Sequence, residues 1–89
     1  MDAQLNETTP DRNIYHEFQQ RIIDEADRAM AKHQQYHWTR HEFYGIMLEE
    51  VEEAWDEIKA NGPDEKLLAE LVQIASVCMR YYEIALRAK

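Results

Sequence analysis

The stretch Ile58-Lys59-Ala60-Asn61-Gly62-Pro63-Asp64 decides the fold, because it separates two long helical patterns by only a few residues. Asn61 and Gly62 are residue types that adopt the left-handed conformation at a helix C-terminus, and a proline just beyond them cannot continue the helix. The pattern therefore ends one helix before Asn61 and starts the next at Pro63 or Asp64. A connection this short favours an antiparallel helical hairpin.

Upstream of this turn, Thr39-Arg40-His41-Glu42 has the form of a capping box, so we expect helix 2 to begin near residue 40. Trp38 before the cap and Phe43 after it can form a hydrophobic staple. The apolar residues that follow recur at helical spacing along one stripe. The stripe of helix 2 is Phe43, Tyr44, Met47, Leu48, Val51, Ala54, Trp55 and Ile58.

Downstream of the turn, a second helical pattern continues to Arg87 and Lys89, basic residues that suit a helix C-terminus. Near the other end of the chain, Thr9-Pro10-Asp11 predicts the start of helix 1, with Thr9 as its N-cap and an end near residue 32. Residues 1–8 are polar and are expected to form a flexible N-terminus. This leaves 9–89 as a single all-α domain.

The apolar stripes of the three helices are too wide to be covered by one another. We therefore expect an all-α chain of three helices, with an antiparallel helix 2–helix 3 hairpin and a four-helix bundle completed by oligomerisation, at least as a homodimer. Trp55 would lie in the core or at the dimer interface.

Composition excludes several function classes. The chain has 89 residues and a formal net charge of −8, which disfavours a nucleic-acid backbone or an anionic membrane as partner. A single nucleotide is not excluded, because a bound metal ion can neutralise its phosphates. The single Cys78 allows no internal disulfide. No apolar run approaches the ~18 residues of a membrane span, and the N-terminus lacks a signal-peptide pattern, so a cytoplasmic location is the expectation.

Acidic and amide side chains follow the edges of both hairpin helices. Glu49, Glu50 and Glu53 lie on helix 2, and Glu70 and Gln73 lie on helix 3, at spacings that make them surface neighbours. If the two edges face each other, these groups converge into an oxygen-only cluster of the kind that binds Mg²⁺ or Mn²⁺. The alternative is an ordinary solvated helix face.

Two features of the sequence bear on that choice. Cations near the acidic run are few, and like charges four residues apart each cost about 0.2–0.5 kcal/mol when unpaired. In addition, Arg80 lies further along the same edge of helix 3 as Glu70 and Gln73, where it could bind phosphate.

These residues resemble a known family. Glu-Glu-x-x-Glu on one helix, followed by Glu-x-x-Asp on the next, is similar to the motif of the all-α nucleoside triphosphate pyrophosphohydrolases, the MazG-like group. Residues 41–57 resemble the first motif helix of its short single-domain members, and residues 69–75 resemble the second. The resemblance covers about residues 41–83, so the predicted domain is a MazG-like domain.

The resemblance implies Mg²⁺-dependent hydrolysis of a (d)NTP to the (d)NMP and pyrophosphate by a homodimer or homotetramer. It also implies that Glu49, Glu50, Glu53 and Glu70 hold the metal, with catalytic roles for Glu50 and Glu53. Gln73 stands where the pattern has Asp, and an amide oxygen ligates a metal without adding negative charge. The other hypothesis is a non-catalytic nucleotide-binding or protein-interaction helical module on the same scaffold.

The segment between helices 1 and 2 is rich in histidine and aromatic residues. His33, His37 and His41 would form a zinc face only on a continuous helix, and the capping box at Thr39 argues against one. His37 and Trp38 are candidates for stacking on a nucleobase, and the alternative is that Trp38 packs locally.

Overall fold

The computed structural model describes residues 9–33 and 37–89 and folds them into three helices. These are α1 (Arg12–His33), α2 (Arg40–Ala60) and α3 (Asp64–Arg87). No strand occurs in the two described stretches, which confirms the predicted all-α class with three helices. The expectation of a flexible segment at 1–8 lies outside the described residues.

The start of α1 differs from the prediction. The side-chain Oδ1 of Asp11 accepts hydrogen bonds from the backbone N–H of Asn13 at 2.9 Å and of Ile14 at 3.3 Å. Asp11 therefore takes the role of N-terminal cap that the sequence pattern had given to Thr9, because a carboxylate satisfies free N–H groups and the positive end of the helix dipole together.

Both ends of α2 match the sequence prediction. Thr39 Oγ1 accepts from the Glu42 N–H at 3.1 Å, and the Thr39 N–H donates to Glu42 Oε1 at 2.8 Å, which completes the capping box. At the other end, Asn61 has a φ of 54° and its N–H donates to the Ile58 carbonyl at 3.1 Å. The helix ends there because Asn61 adopts the left-handed conformation.

Helix α3 is the centre of the fold. It packs against both α1 and α2, whereas α1 and α2 do not pack against each other. The core between α2 and α3 is formed around Trp38, Val77 and Ile84. The rings of Phe43 and Tyr81 stack beside it with centroids 4.5 Å apart. The three helices thus form an open arrangement in which α3 is the central helix, and α1 and α2 each pack against it.

The apolar stripe of α2 lies largely on the surface. Of its predicted members, Ala54 is buried, and Phe43 and Met47 are half-buried. The rest of the stripe has exposed fractions between 38% and 57%, and comprises Tyr44, Leu48, Val51, Trp55 and Ile58. Across the two described stretches, no helix has the length and hydropathy that a bilayer-spanning segment needs.

Candidate functional site: a three-carboxylate cluster beside a polar cleft

Three carboxylates meet where α2 lies against α3. Glu50 and Glu53, one turn apart on α2, and Glu70 on α3 each bring a carboxylate oxygen to within 4.8 Å of the others. Residues three apart share a helix face, and the packing of α3 against that face adds the third group. Glu50 and Glu70 are half-buried, and Glu53 is exposed.

The cluster is electrostatically unbalanced. Partial burial raises the pKa of Glu50, and the negative charges of Glu53, Glu70, Glu49 and Glu25 raise it further. Burial likewise raises the pKa of Glu70, with further contributions from Glu53 and Glu57. The Oε1 atom of Glu70 is buried and has no hydrogen-bond partner in the described parts of the chain. A buried oxygen without a partner, among carboxylates of like charge, is the environment that a divalent cation would relieve.

Of the other two predicted ligands, Glu49 does not belong to this group of three carboxylates, and Gln73 follows Glu70 by three residues on α3. Glu49 is exposed and borders a shallow depression with Trp38, His41 and Gly45. Its charge nevertheless contributes to the raised pKa of Glu50. Gln73 is half-buried one turn beyond Glu70, and after the larger effect of Arg28 its side chain also helps to lower the pKa of Glu25.

A cleft of about 290 Å³ continues from the cluster along α3, with Glu50 belonging to both. All three helices line it. Its polar lining is formed by Glu25, Arg28 and His33 from α1, Glu50 from α2, and Gln73, Ser76 and Arg80 from α3; Ala29, Trp38, Ile46 and Val77 supply its apolar surface.

Glu25 is the cleft residue that sequence reasoning missed. Its carboxylate accepts a bidentate pair of hydrogen bonds from Arg28, with Arg28 Nε at 2.9 Å from Oε1 and Nη2 on Oε2. Those bonds are the main reason that the pKa of Glu25 is lowered. A signal was present in the sequence, because Glu25 falls between Ile22 and Ala29 on the inward face of α1, where an acidic residue needs partners.

Arg80 lines the cleft and lies ten residues beyond Glu70 on α3. Its side chain is only 7% exposed, and its guanidinium carbon lies 4.6 Å from the centroid of the Trp38 ring. The Nε and Nη2 atoms are buried without a hydrogen-bond partner among the described residues. Burial lowers the pKa of Arg80, and the nearby negative charge of Glu25 opposes that shift.

Among the residues that the structure describes, the histidines around the α1–α2 connection do not belong to a group of metal-ligating side chains. His33 lines the cleft, His37 and His41 are exposed, and the helix is interrupted between His33 and Arg40. Within the described residues, the group of metal-ligating side chains that the fold brings together is Glu50, Glu53 and Glu70. Trp38 is 7% exposed and packs in the core, as expected for the local-packing alternative.

The chain matches no protein-family model, no curated protein and no solved structure. The resemblance to the MazG-like group therefore stays a prediction, and the function has to be argued from the site itself.

Proposed function

We propose that this chain is a Mg²⁺-dependent nucleoside triphosphate pyrophosphohydrolase of MazG-like type. The observation that carries the proposal is the meeting of Glu50, Glu53 and Glu70 within 4.8 Å, with an unpartnered buried oxygen on Glu70. Carboxylate oxygens are the ligands that Mg²⁺ and Mn²⁺ prefer in proteins. The raised pKa values of Glu50 and Glu70 are those expected of ligands without their cation.

The residues of the cluster have distinct tasks in this proposal. Glu50, Glu53 and Glu70 would hold the cation, with Glu49 next to Glu50 in the sequence and Gln73 three residues after Glu70. A divalent cation bound here would supply positive charge to the phosphate oxygens and would make the attacking water more acidic. Glu50 faces both the cluster and the cleft, so it is placed to take the proton of the water that attacks the α-phosphorus. The bond to the β-phosphate then breaks, and pyrophosphate leaves.

The assembly that we propose is a homodimer or homotetramer built on a hairpin of α2 and α3. Pairing of Phe43 with Tyr81, and of Met47 with Cys78 at 4.0 Å, supports an antiparallel hairpin, because the α2 residue number rises as the α3 residue number falls.

A second copy supplies the partner for the exposed stripe of α2. Its residues follow one another at alternating steps of four and three: Tyr44, Leu48, Val51, Trp55 and Ile58. That spacing is typical of the a and d positions at which one helix packs against another. A related copy would cover the stripe and complete a four-helix bundle.

The direct test is metal-dependent pyrophosphate release from a set of (d)NTPs. Glu50→Gln and Glu53→Gln keep the shape of the side chain and remove its charge, so we expect both to abolish Mg²⁺-dependent turnover. Glu52→Gln is the matched control, since Glu52 is an exposed acid on the same helix outside the cluster. Equal activity in all three variants would rule out the proposed site.

One observation favours a second candidate function, a non-catalytic module that binds a nucleotide or a partner protein on the same scaffold. Gln73 stands where the resemblance has an acidic ligand, and its side chain is engaged with Glu25. If this candidate is right, nucleotide binds without turnover, and Gln73→Asp does not create any. Release of pyrophosphate by the unmodified protein would exclude it.

A further inference from the structure

We infer that the Nε and Nη2 edge of Arg80 binds the nucleobase of the substrate, selecting bases that present two adjacent hydrogen-bond acceptors. The inference rests on the proposed function and deepens it, because it assigns base selectivity to a residue that lines the same cleft. It also gives Arg80 a different partner from the phosphate that the sequence pattern suggested.

The first step of the argument is the state of the guanidinium. Nε and Nη2 lie along one edge of the planar guanidinium group, and their N–H bonds point in the same direction, which is the geometry of a bidentate contact. Both atoms are buried without a partner, on a side chain that is 7% exposed and borders the cleft. Leaving charged donors buried and unpaired costs free energy, so a ligand that supplies two acceptors would be bound favourably once the side chains covering this edge move aside to admit it.

The second step is preorganisation. Trp38 is buried in the core and its ring lies 4.6 Å from the Arg80 guanidinium carbon, a cation–π contact that fixes the plane of the group. A fixed plane loses little conformational freedom on binding, and it discriminates between ligands by the direction of their acceptors.

The third step is position. Arg80 follows Glu70 by ten residues on α3, which corresponds to about 15 Å along a helix axis. The carboxylate whose charge acts on Arg80 is Glu25, on the α1 wall, and the three cluster carboxylates do not contribute. If the triphosphate lies at the carboxylate cluster, the nucleoside extends along the cleft, and its base is the part that comes near Arg80.

The fourth step is chemical complementarity. Guanine presents adjacent acceptors at O6 and N7, the pair that arginine most often binds in a bidentate manner. Cytosine presents adjacent acceptors at O2 and N3. Adenine places a donor next to N7, and uracil and thymine place an N–H between their two carbonyls. Arginine only donates, so the Arg80 edge favours guanine and cytosine over the other bases.

The experiment compares kcat/KM for GTP, CTP, ATP and UTP, beside the affinity for inorganic tripolyphosphate, in the wild type and in Arg80→Lys. We expect the wild type to prefer GTP or CTP by roughly tenfold or more, the scale of one bidentate base contact. Arg80→Lys keeps the charge and removes the paired donors, so the preference should vanish while tripolyphosphate affinity is retained. Arg87→Lys, a change at an exposed arginine of the same helix, is the control and should keep the preference.

A further variant makes the assignment sharper. Arg80→Gln places an amide donor and acceptor at the cleft wall, the pair that matches adenine, so the ratio of ATP to GTP turnover should rise above its wild-type value. If the Arg80 variants do not fold, as judged by helix content and melting, the wild-type ranking of the four bases decides alone.

Several outcomes would overturn the inference. An equal loss of affinity for all four nucleotides and for tripolyphosphate would assign Arg80 to phosphate. A wild-type preference for ATP or UTP, or no preference, would also refute base selection by Arg80. If nucleotides bind without turnover, the ranking is taken from dissociation constants, so a failed hydrolase proposal and a failed selectivity proposal give different results.

Discussion

Helix α2 carries two surfaces, and only one of them is covered by another helix of the same chain. Its acidic edge meets α3 and gains the third carboxylate of the cluster from within the same chain. Its apolar stripe, centred on Val51 and Trp55, stays on the surface. Both surfaces follow from one helical period, so the difference arises from what packs opposite them. The comparison indicates that a single chain brings the three carboxylates of the proposed cation site together, whereas covering the apolar stripe needs a surface from outside the chain.

The largest expected effect is on catalysis. Glu70→Gln should lower Mg²⁺-dependent pyrophosphate release by about a hundredfold or more, since metal binding contributes several kcal/mol of transition-state stabilisation. The mass in solution should not change, because the acidic edge is separate from the apolar stripe. Steady-state kinetics and light scattering on the same sample measure both. A change in mass without a loss of activity would contradict the assignment.

The next effect is on assembly. Trp55→Glu puts a charge in the middle of the apolar stripe, so it should dissociate the oligomer into single chains, as seen by sedimentation. Mg²⁺ binding by the isolated chain should persist. Ala60→Glu adds the same charge to an exposed position at the end of α2 outside the stripe, and it should leave the assembly intact. Loss of Mg²⁺ binding together with assembly would show that the cluster also needs the second copy.

A smaller effect is expected on the rise in melting temperature that Mg²⁺ causes. Mg²⁺ at a hundred times its dissociation constant stabilises the folded state by about 2.7 kcal/mol, which corresponds to roughly 10–20 °C for a domain of this size. Glu53→Gln should reduce the shift strongly, and Glu52→Gln should not. Thermal scans in Mg²⁺ and in chelator test this. Equal shifts in both variants would show that Mg²⁺ does not bind at the three-carboxylate cluster.

The pH dependence of stability should reflect the same cluster. The pKa values of Glu50 and Glu70 are raised by burial and by neighbouring negative charge, so the folded state holds their protons more tightly than the unfolded state. Their contribution to stability is therefore present below the ordinary carboxyl range, about pH 4, and is lost as pH rises through the raised values. In chelator, the melting temperature should fall over that window.

Two comparisons control for this pH effect: the addition of Mg²⁺, and the contribution of Glu25, whose pKa is shifted in the other direction. Saturating Mg²⁺ should remove the fall, and Glu70→Gln should reduce it. Glu25 has a lowered pKa, so its contribution has the opposite sign and is lost as pH falls. A melting temperature in chelator that rises steadily with pH through the window would contradict the assignment of raised pKa values to the cluster.

The smallest expected effect is that of Gln73→Asp. The change adds a carboxylate one turn from Glu70, and it replaces an amide that helps to lower the pKa of Glu25. We expect tighter Mg²⁺ binding, by several-fold rather than by orders of magnitude, because the three glutamates of the cluster are already in place. Calorimetry with Mg²⁺ measures the difference, with Glu52→Asp as a neutral comparison.

Features encoded by neighbouring residues were predictable from the sequence. The capping box at Thr39 and the left-handed Asn61 depend on local backbone geometry, and both were confirmed. The start of α1 was misplaced, because Thr9 and Asp11 both suit an N-cap and only the path of the backbone decides between them.

The candidate site was predictable only in part, because it depends on how the helices rotate about each other. The spacing anticipated that Glu50, Glu53 and Glu70 lie together, and it could not show that Glu49 is outside that group. Glu25 was missed because α1 carries no motif and its placement against α3 is a tertiary feature. Helical periodicity likewise could not predict that Arg80 is buried against Trp38.

Helix α1 packs on α3 without packing on α2. Substitutions in α1 and substitutions in α2 can therefore change different parts of the molecule. Substitutions on the inward face of α1 alter the cleft wall that carries Glu25, and they leave the three carboxylates supplied by α2 and α3 unchanged. Descendants of such a chain can therefore vary the wall of the cleft that α1 forms, while the three carboxylates and the buried Arg80 stay with α2 and α3.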